Sequence, residues 1–298
     1  MPIQKYETSG RDRFMAYGAI ILTLVFWSSS FVGIKYALEF FTPGGLAILR
    51  YLIASLVMIL IAPFLIPISR IHLSKRHCIM FTIFGFLGVF AYHVGLNYGE
   101  LTVTSATASF LVAQIPIATV LLNSVIFKES IKGLAIFGIL LGLAGTILIL
   151  FAEGQNYQIS IGVFWIIGAV IAESTYFILQ KKAFEKFSLF EINFYTNIFG
   201  TILMLPFLSN AFVHGAPSTF SAWVVLIYLG IFPAAVAYFL WSFAIKKVGV
   251  VATTSSLYAL PFFTLIIGFL ALQEIPSIGV VFGGSLALIG AFFVHKAR

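Results

Sequence analysis

Glu173 stands in the run AVIAESTYFILQ (residues 169–180), the one acid in an apolar stretch that begins near Ile161 and ends at Lys181 and Lys182. Tyr176 and Gln180 follow at i+3 and i+7, so the three share one helical face. A stripe of this kind admits two chemistries. Either a protonated carboxyl bridges two helices, or the acid holds a substrate or a proton. His93, Asn97 and Glu100, at i, i+4 and i+7, form a second stripe, in which His93 is equally a packing residue or a functional one. A third set is aromatic: Trp27, Tyr176, Tyr238, Trp241 and Tyr258 would stack on an aromatic substrate or attract a quaternary ammonium. Trp27 is equally read as simple packing. Ser30, Gln114 and Ser255 add hydrogen-bonding groups. His and Cys do not cluster at ligand spacing, so the sequence implies no metal, and nothing in it calls for a cofactor.

The elements that position these residues follow from composition. The chain is 61% hydrophobic and 9% charged, with a mean hydropathy of +1.08, whereas a soluble domain carries about 25% charged residues. It is a membrane protein. The net charge of +7 lies in short clusters between apolar runs, which reports topology rather than a nucleic-acid partner. A bilayer core needs about 20 apolar residues per helix, and ten such runs occur: 15–37, 43–66, 78–99, 104–126, 132–151, 160–180, 189–209, 222–245, 251–271 and 277–295. The loops 38–43, 100–103, 152–159, 210–221 and 272–276 contain no Lys or Arg, while 15 of the 17 cations fall on the other side. That bias places both termini in the cytoplasm and the chain in the inner (plasma) membrane. The basic N-terminus leads into a stretch that runs past Trp27 with no cleavage pattern, and it is read as a retained first span. Cys78 excludes an intramolecular disulfide and reads as packing.

At 1.5 Å per residue, Glu173 lies roughly 20 Å from one face and 12 Å from the other. An ionised acid near the midplane costs about 2.5–3.5 kcal/mol, so it needs a cavity, a partner or a proton. Lys35 and Arg50 fall toward the outer ends of the first two spans, where they either snorkel to headgroups or close that end.

Displacing the sequence by 145 residues, from the third span onward, aligns Gly85 with Gly230, Pro116 with Pro261, Glu129 with Glu274, Gly138 with Gly283 and Gly145 with Gly290. Residues 1–151 and 152–298 are therefore two halves of five spans each, and an odd number of crossings turns the second upside down. Secondary transporters use inverted repeats of this kind, with the substrate near midplane between the halves. His93 aligns with Tyr238, the two being expected in opposite leaflets, and Trp241 shares the face of Tyr238. Pro116 and Pro261 mark kinks at equivalent points. Gly138 and Gly142, matched by Gly279 and Gly283, have GxxxG spacing and imply close helix contact, within one chain by preference and otherwise between two copies. No GxxxxGK[ST] occurs, so the chain carries no P-loop for ATP.

These residues also carry a resemblance. FWSSSFVGIKYAL, with Trp27 and Lys35, and LAILRYLIAS, with Arg50, are similar to the opening helices of the EamA-type transporters of the drug/metabolite transporter superfamily. So is a Pro followed 13 residues later by Glu in each half, Pro116 with Glu129 and Pro261 with Glu274. The chain departs from the common pattern at FKES and LQEI, where the family often has Gly before the Glu. The resemblance covers essentially the whole chain. It implies an all-α polytopic protein of ten helices around a central cavity, transporting small metabolites, often outward, by alternating access. The first expectation is export of amino acids or related compounds, with proton coupling if Glu173 titrates. The alternatives are import of an organic cation such as choline, with the aromatic residues as a cage, and, from another class, a membrane-embedded lipid-modifying enzyme.

Overall fold

A computed structural model describes residues 10–65, 73–127, 133–153, 160–248, 253 and 256–296. Glu129 and Ser255 lie outside the described residues. Among the described residues, eight helices are long and apolar enough to cross a membrane and two shorter apolar helices complete a set of ten. They are α1 (Gly10–Ala37), α2 (Pro43–Leu65), α3 (Lys75–Glu100), α4 (Ser105–Ile126), α5 (Gly133–Ala152), α6 (Ile161–Glu185), α7 (Leu189–Asn210), α8 (Phe220–Ile245), α9 (Ser256–Leu272) and α10 (Ile278–Val294). In hydrocarbon each backbone N–H and C=O must find its partner inside the segment, which a helix provides. Phe64, Phe220 and Ile278 stand fully out from the surface, as suits a lipid surround. An even number of spans puts both chain ends on one side, called here the terminal end.

The packing is two-fold. α1 lies on α8 and α9 as α6 lies on α3 and α4; α2 lies on α7 and α8 as α7 lies on α2 and α3; α5 lies on α10. Exchanging the halves leaves this set of pairings unchanged. The glycine seam between α5 and α10 shows the axis most directly. A Cβ on Gly138 would meet the carbonyl of Gly290 at 2.5 Å, and one on Gly145 would meet that of Gly283 at 2.4 Å. Gly290 is the repeat mate of Gly145, and Gly283 that of Gly138, so each glycine faces the other's mate. The GxxxG contact is thus made within the chain, and only glycine permits backbones this close.

The displacement of 145 does not reach the first two spans of each half. These pair at 146 instead: Thr42 with Ser188, Ser28 with Ser174, Lys35 with Lys181. Thr42 and Ser188 both cap helix starts, accepting the N–H of Gly45 at 3.1 Å and of Glu191 at 3.2 Å. Two repeat pairs, one from each displacement, touch on the axis. Ser55 meets its mate Thr201 at 2.9 Å, and the Tyr238 hydroxyl lies 3.4 Å from Nε2 of its mate His93. The expectation of opposite leaflets for His93 and Tyr238 is therefore wrong. A pair on an in-plane two-fold axis shares one depth, the midplane.

Irregularities are duplicated as well. α3 loosens into a π-helical segment at Gly85–Ala91 and α8 into one at Phe232–Val236, the mate of 87–91. α4 breaks at 113–114 and resumes at Ile115, and α9 passes from a 3₁₀ turn, Ser256–Ala259, into a helix from its mate Leu260. Pro116 and Pro261 occupy the first turn after each break, where a missing N–H costs nothing. They start new helical segments rather than kink continuous ones.

Candidate functional site

A cleft with about 540 Å³ of empty space lies on the axis between the halves. Its frame is built from repeat pairs: Phe31 and Phe177, Val112 and Leu257, Ile115 and Leu260, with His93 and Tyr238 at the centre. The wall is apolar because these positions come from the inward faces of α1, α4, α6 and α9. Its polar groups are few and placed unequally. Trp27 and Glu173 are repeat mates on α1 and α6, and both line the cleft.

Trp27 is fixed from two directions. Its indole Nε1 donates to the carbonyl of Pro233 at 3.1 Å, inside the π segment of α8, where the helical ladder is loosened. Its ring lies 5.3 Å from Tyr238 and 4.9 Å from Trp241. Trp241 thus backs Trp27 rather than lining the cleft. Tyr92, beside His93, is a lining aromatic that the sequence analysis passed over. The Tyr51 hydroxyl shares a hydrogen bond with Nε2 of His93, which anchors the central imidazole to α2.

The charges are the decisive feature. Arg50 is 2% exposed and lines the cleft, so of its two readings the snorkelling one does not hold. It lies seven residues inside α2 from Pro43, about 10 Å along the axis. Nε and Nη1 of Arg50 have no hydrogen-bond partner among the described residues, nor has Oε2 of Glu173, itself 2% exposed. No ion pair joins Arg50 to Glu173 among the described residues. Buried polar groups are ordinarily hydrogen-bonded, so a guanidinium and a carboxyl with open positions in one cleft can receive the hydrogen-bonding groups of a ligand. Ser30 also lines the cleft, though its hydroxyl donates to the carbonyl of Trp27 at 2.7 Å.

Other expected site residues fall elsewhere. Tyr176 lines a smaller cleft of about 280 Å³ toward the terminal end, with Tyr51, Asn193, Thr196 and Asn197. Tyr238 borders both clefts. Asn97 donates to the carbonyl of Pro43 at 2.9 Å and joins α3 to α2. Gln114 donates to the carbonyl of Phe110 at 3.2 Å, and its Oε1 points at Gly142 of α5. Tyr258 donates to the carbonyl of Ala291 at 2.9 Å among Ile117, Val294 and their neighbours, away from the cleft. Asn97 and Tyr258 thus bond to a neighbouring helix, which spacing alone does not tell apart from facing a cavity, whereas Gln114 bonds within its own helix and its Oε1 has no hydrogen-bond partner among the described residues.

The far end is tied together. Lys35 donates to the carbonyls of Glu100 at 2.7 Å and Val103 at 2.9 Å, so of its two readings it takes the closing one. The Glu100 carboxyl, buried beside it, has no hydrogen-bond partner among the described residues. Glu274 accepts the Ser105 N–H at 3.1 Å and its hydroxyl, capping α4 from the other half. Residues 40–42 and 211–213 form an antiparallel bridge, with Thr42 N to Ala211 O and Val213 N to Phe40 O both 3.1 Å.

Comparison with known proteins agrees with this architecture. The EamA-like transporter family matches the chain twice, at residues 14–151 and 160–295. An uncharacterized transporter, YdfC of Bacillus subtilis, is 34% identical over 275 residues, covering 92% of this chain and 89% of that one. A probable terminal-alkyne amino-acid exporter of Streptantibioticus cattleyicolor is 31% identical over 283 residues, covering 94% and 93%. A solved crystal structure aligns with a TM-score of 0.61 at 20% identity over 95% of this chain and 96% of that one, a likeness of fold.

Proposed function

The chain belongs to the EamA-like transporter family, and on that premise we propose that it exports amino acids across the cytoplasmic membrane by alternating access, with both termini in the cytoplasm. One observation carries the substrate class: unpartnered Arg50 and Glu173 in a single cleft on the axis. The guanidinium meets the substrate's carboxylate, the Glu173 carboxylate meets its ammonium, and Trp27, Tyr92 and Tyr238 receive the side chain. Each charge then gains in the bound state the partner it lacks in the empty one, which makes recognition specific to a zwitterion. The name of the Streptantibioticus cattleyicolor relative supports both the class and the direction.

The organic-cation reading keeps the aromatic walls and Glu173 but leaves Arg50 unexplained, since a buried guanidinium in the same cleft repels a bare cation. The lipid-modifying reading needs several acids or histidines gathered at one place, and the described lining holds one acid, Glu173. The test is flux of labelled amino acids in proteoliposomes, with competition by the corresponding methyl esters and by tetramethylammonium. Inhibition by the zwitterion alone supports the proposal. Equal inhibition by tetramethylammonium sinks it in favour of the cation reading.

A further inference from the structure

Two buried serines form matched hydrogen bonds across the interface between the halves. The Ser28 hydroxyl, on α1, donates to the carbonyl of Leu260 on α9 at 3.0 Å. The Ser174 hydroxyl, on α6, donates to the carbonyl of Ile115 on α4 at 3.3 Å. Ser28 and Ser174 are repeat mates, and so are Leu260 and Ile115. Both serines are fully buried. Each accepting carbonyl belongs to the residue before the repeat proline, at the point where α4 or α9 breaks. Each also accepts a second hydroxyl, from Thr119 at 2.8 Å and from its mate Thr264 at 2.9 Å. The four groups at each node therefore recur in the other half, residue for residue.

Symmetry gives this duplication a mechanical meaning. When two inverted halves alternate, the state open to one face is related to the state open to the other by exchanging the roles of the halves. A contact whose image is formed in the same structure survives that exchange. A contact formed at one end and not at the other must break when the cleft opens there. We propose that Ser28 and Ser174 are the paired pivots of the transport cycle: their bonds to the carbonyls of Leu260 and Ile115 persist in both end states and are the points about which the halves rock. This rests on the alternating-access reading above. It also assigns the serines a second consequence. Ser28 follows Trp27 and Ser174 follows Glu173, while Ile115 and Leu260 themselves line the cleft. The pivots thus hold the binding groups at constant spacing while access changes, as positioning residues rather than substrate contacts.

The experiment uses a Cys78→Ser background carrying Leu96→Cys within the cleft, reconstituted in one orientation and labelled from each face with an impermeant maleimide. Between the end states, where the contacts confined to either end are released, the pivots are what still joins the halves, so alanine at position 28 or 174 should slow turnover by about two- to tenfold, the range one net hydrogen bond accounts for. KM and the ratio of labelling from the two faces should stay as in wild type, and the two variants should match each other. Cysteine, a near-isosteric weak donor, should restore part of the rate. A variant that skews labelling toward one face marks a gate and overturns the proposal, as does unchanged turnover. Should an alanine variant not fold, Thr119→Val and Thr264→Val, which remove only the companion hydroxyl, carry the same test with the same two overturning results. Labelling is read without substrate, so a wild type that moves no amino acid defeats the functional reading alone.

Discussion

Replacing Arg50 by Gln separates recognition from folding, because of what the guanidinium does not touch. Its Nε and Nη1 bond to nothing among the described residues, so the substitution leaves no buried protein acceptor stranded there. What it removes is the contact to a substrate carboxylate. Hydrogen bonds to charged groups contribute about 1.5–3 kcal/mol, and about 1.4 kcal/mol is tenfold in binding. KM for an amino acid should therefore rise about 10- to 150-fold. For the methyl ester, which lacks the anion, wild type and variant should differ little. Arg50→Lys keeps the charge but loses the planar fork and should fall between. Flux in proteoliposomes with acid and ester in parallel measures the difference directly. If acid and ester lose alike, or if KM holds while the thermal midpoint collapses, Arg50 is a structural cation and the zwitterion argument fails.

Other outcomes follow from the same geometry. Glu173→Gln should weaken amino-acid flux and, if the acid also carries the coupled proton, abolish its response to an imposed pH gradient; a variant with wild-type rate and pH dependence removes both roles. Gly145→Val would bring a side chain to a backbone oxygen that already lies 2.4 Å from an ideal Cβ, so α5 and α10 must part. Overpacking typically costs about 1–3 kcal/mol, and the thermal midpoint in detergent should fall; an unchanged midpoint would refute the close seam. Lys35→Met releases two carbonyls at the far end. Labelling of a cleft cysteine from that face should increase, and no increase would show that Lys35 does not hold the end shut.

The number of helices, their order and the second half's inversion were legible because hydropathy, cation placement and an ungapped displacement of 145 residues are all one-dimensional signals. The register of the first two spans was not, since a one-residue difference between the second and third spans breaks the alignment where few identities survive. That shift hid Trp27 and Glu173 as mates, and Ser28 and Ser174 with them. Glu173, His93, Trp27, Ser30 and Tyr238 were singled out from sequence and all line the cleft. Arg50 was read either as snorkelling or as closing the outer end, and neither reading placed it in the cleft that it lines. Asn97 and Tyr258, also named from sequence, do not line the cleft. A polar side chain bound to a carbonyl of the next helix has the same sequence signature as one facing a cavity, and only packing distinguishes them.

The site also explains why a duplicated frame needs unequal chemistry. On the alternating-access proposal two-fold symmetry serves motion, because identical interfaces let the halves exchange roles at little cost in contacts; this is where Phe31 and Phe177, Ile115 and Leu260, and the glycine seam are alike or closely similar. The amino acid proposed above has no such symmetry, so on that proposal the residues that read it must differ between mates. They do: Trp27 opposes Glu173, and Arg50 corresponds to Thr196. Charge thus departs from the repeat at the positions that face the cleft's unpaired groups, while shape obeys it. It follows that restoring symmetry there, by Trp27→Glu or Thr196→Arg, should leave the helices assembled yet abolish discrimination between a zwitterion and its ester. A symmetrised variant that still prefers the zwitterion would mean that recognition lies outside the axis altogether.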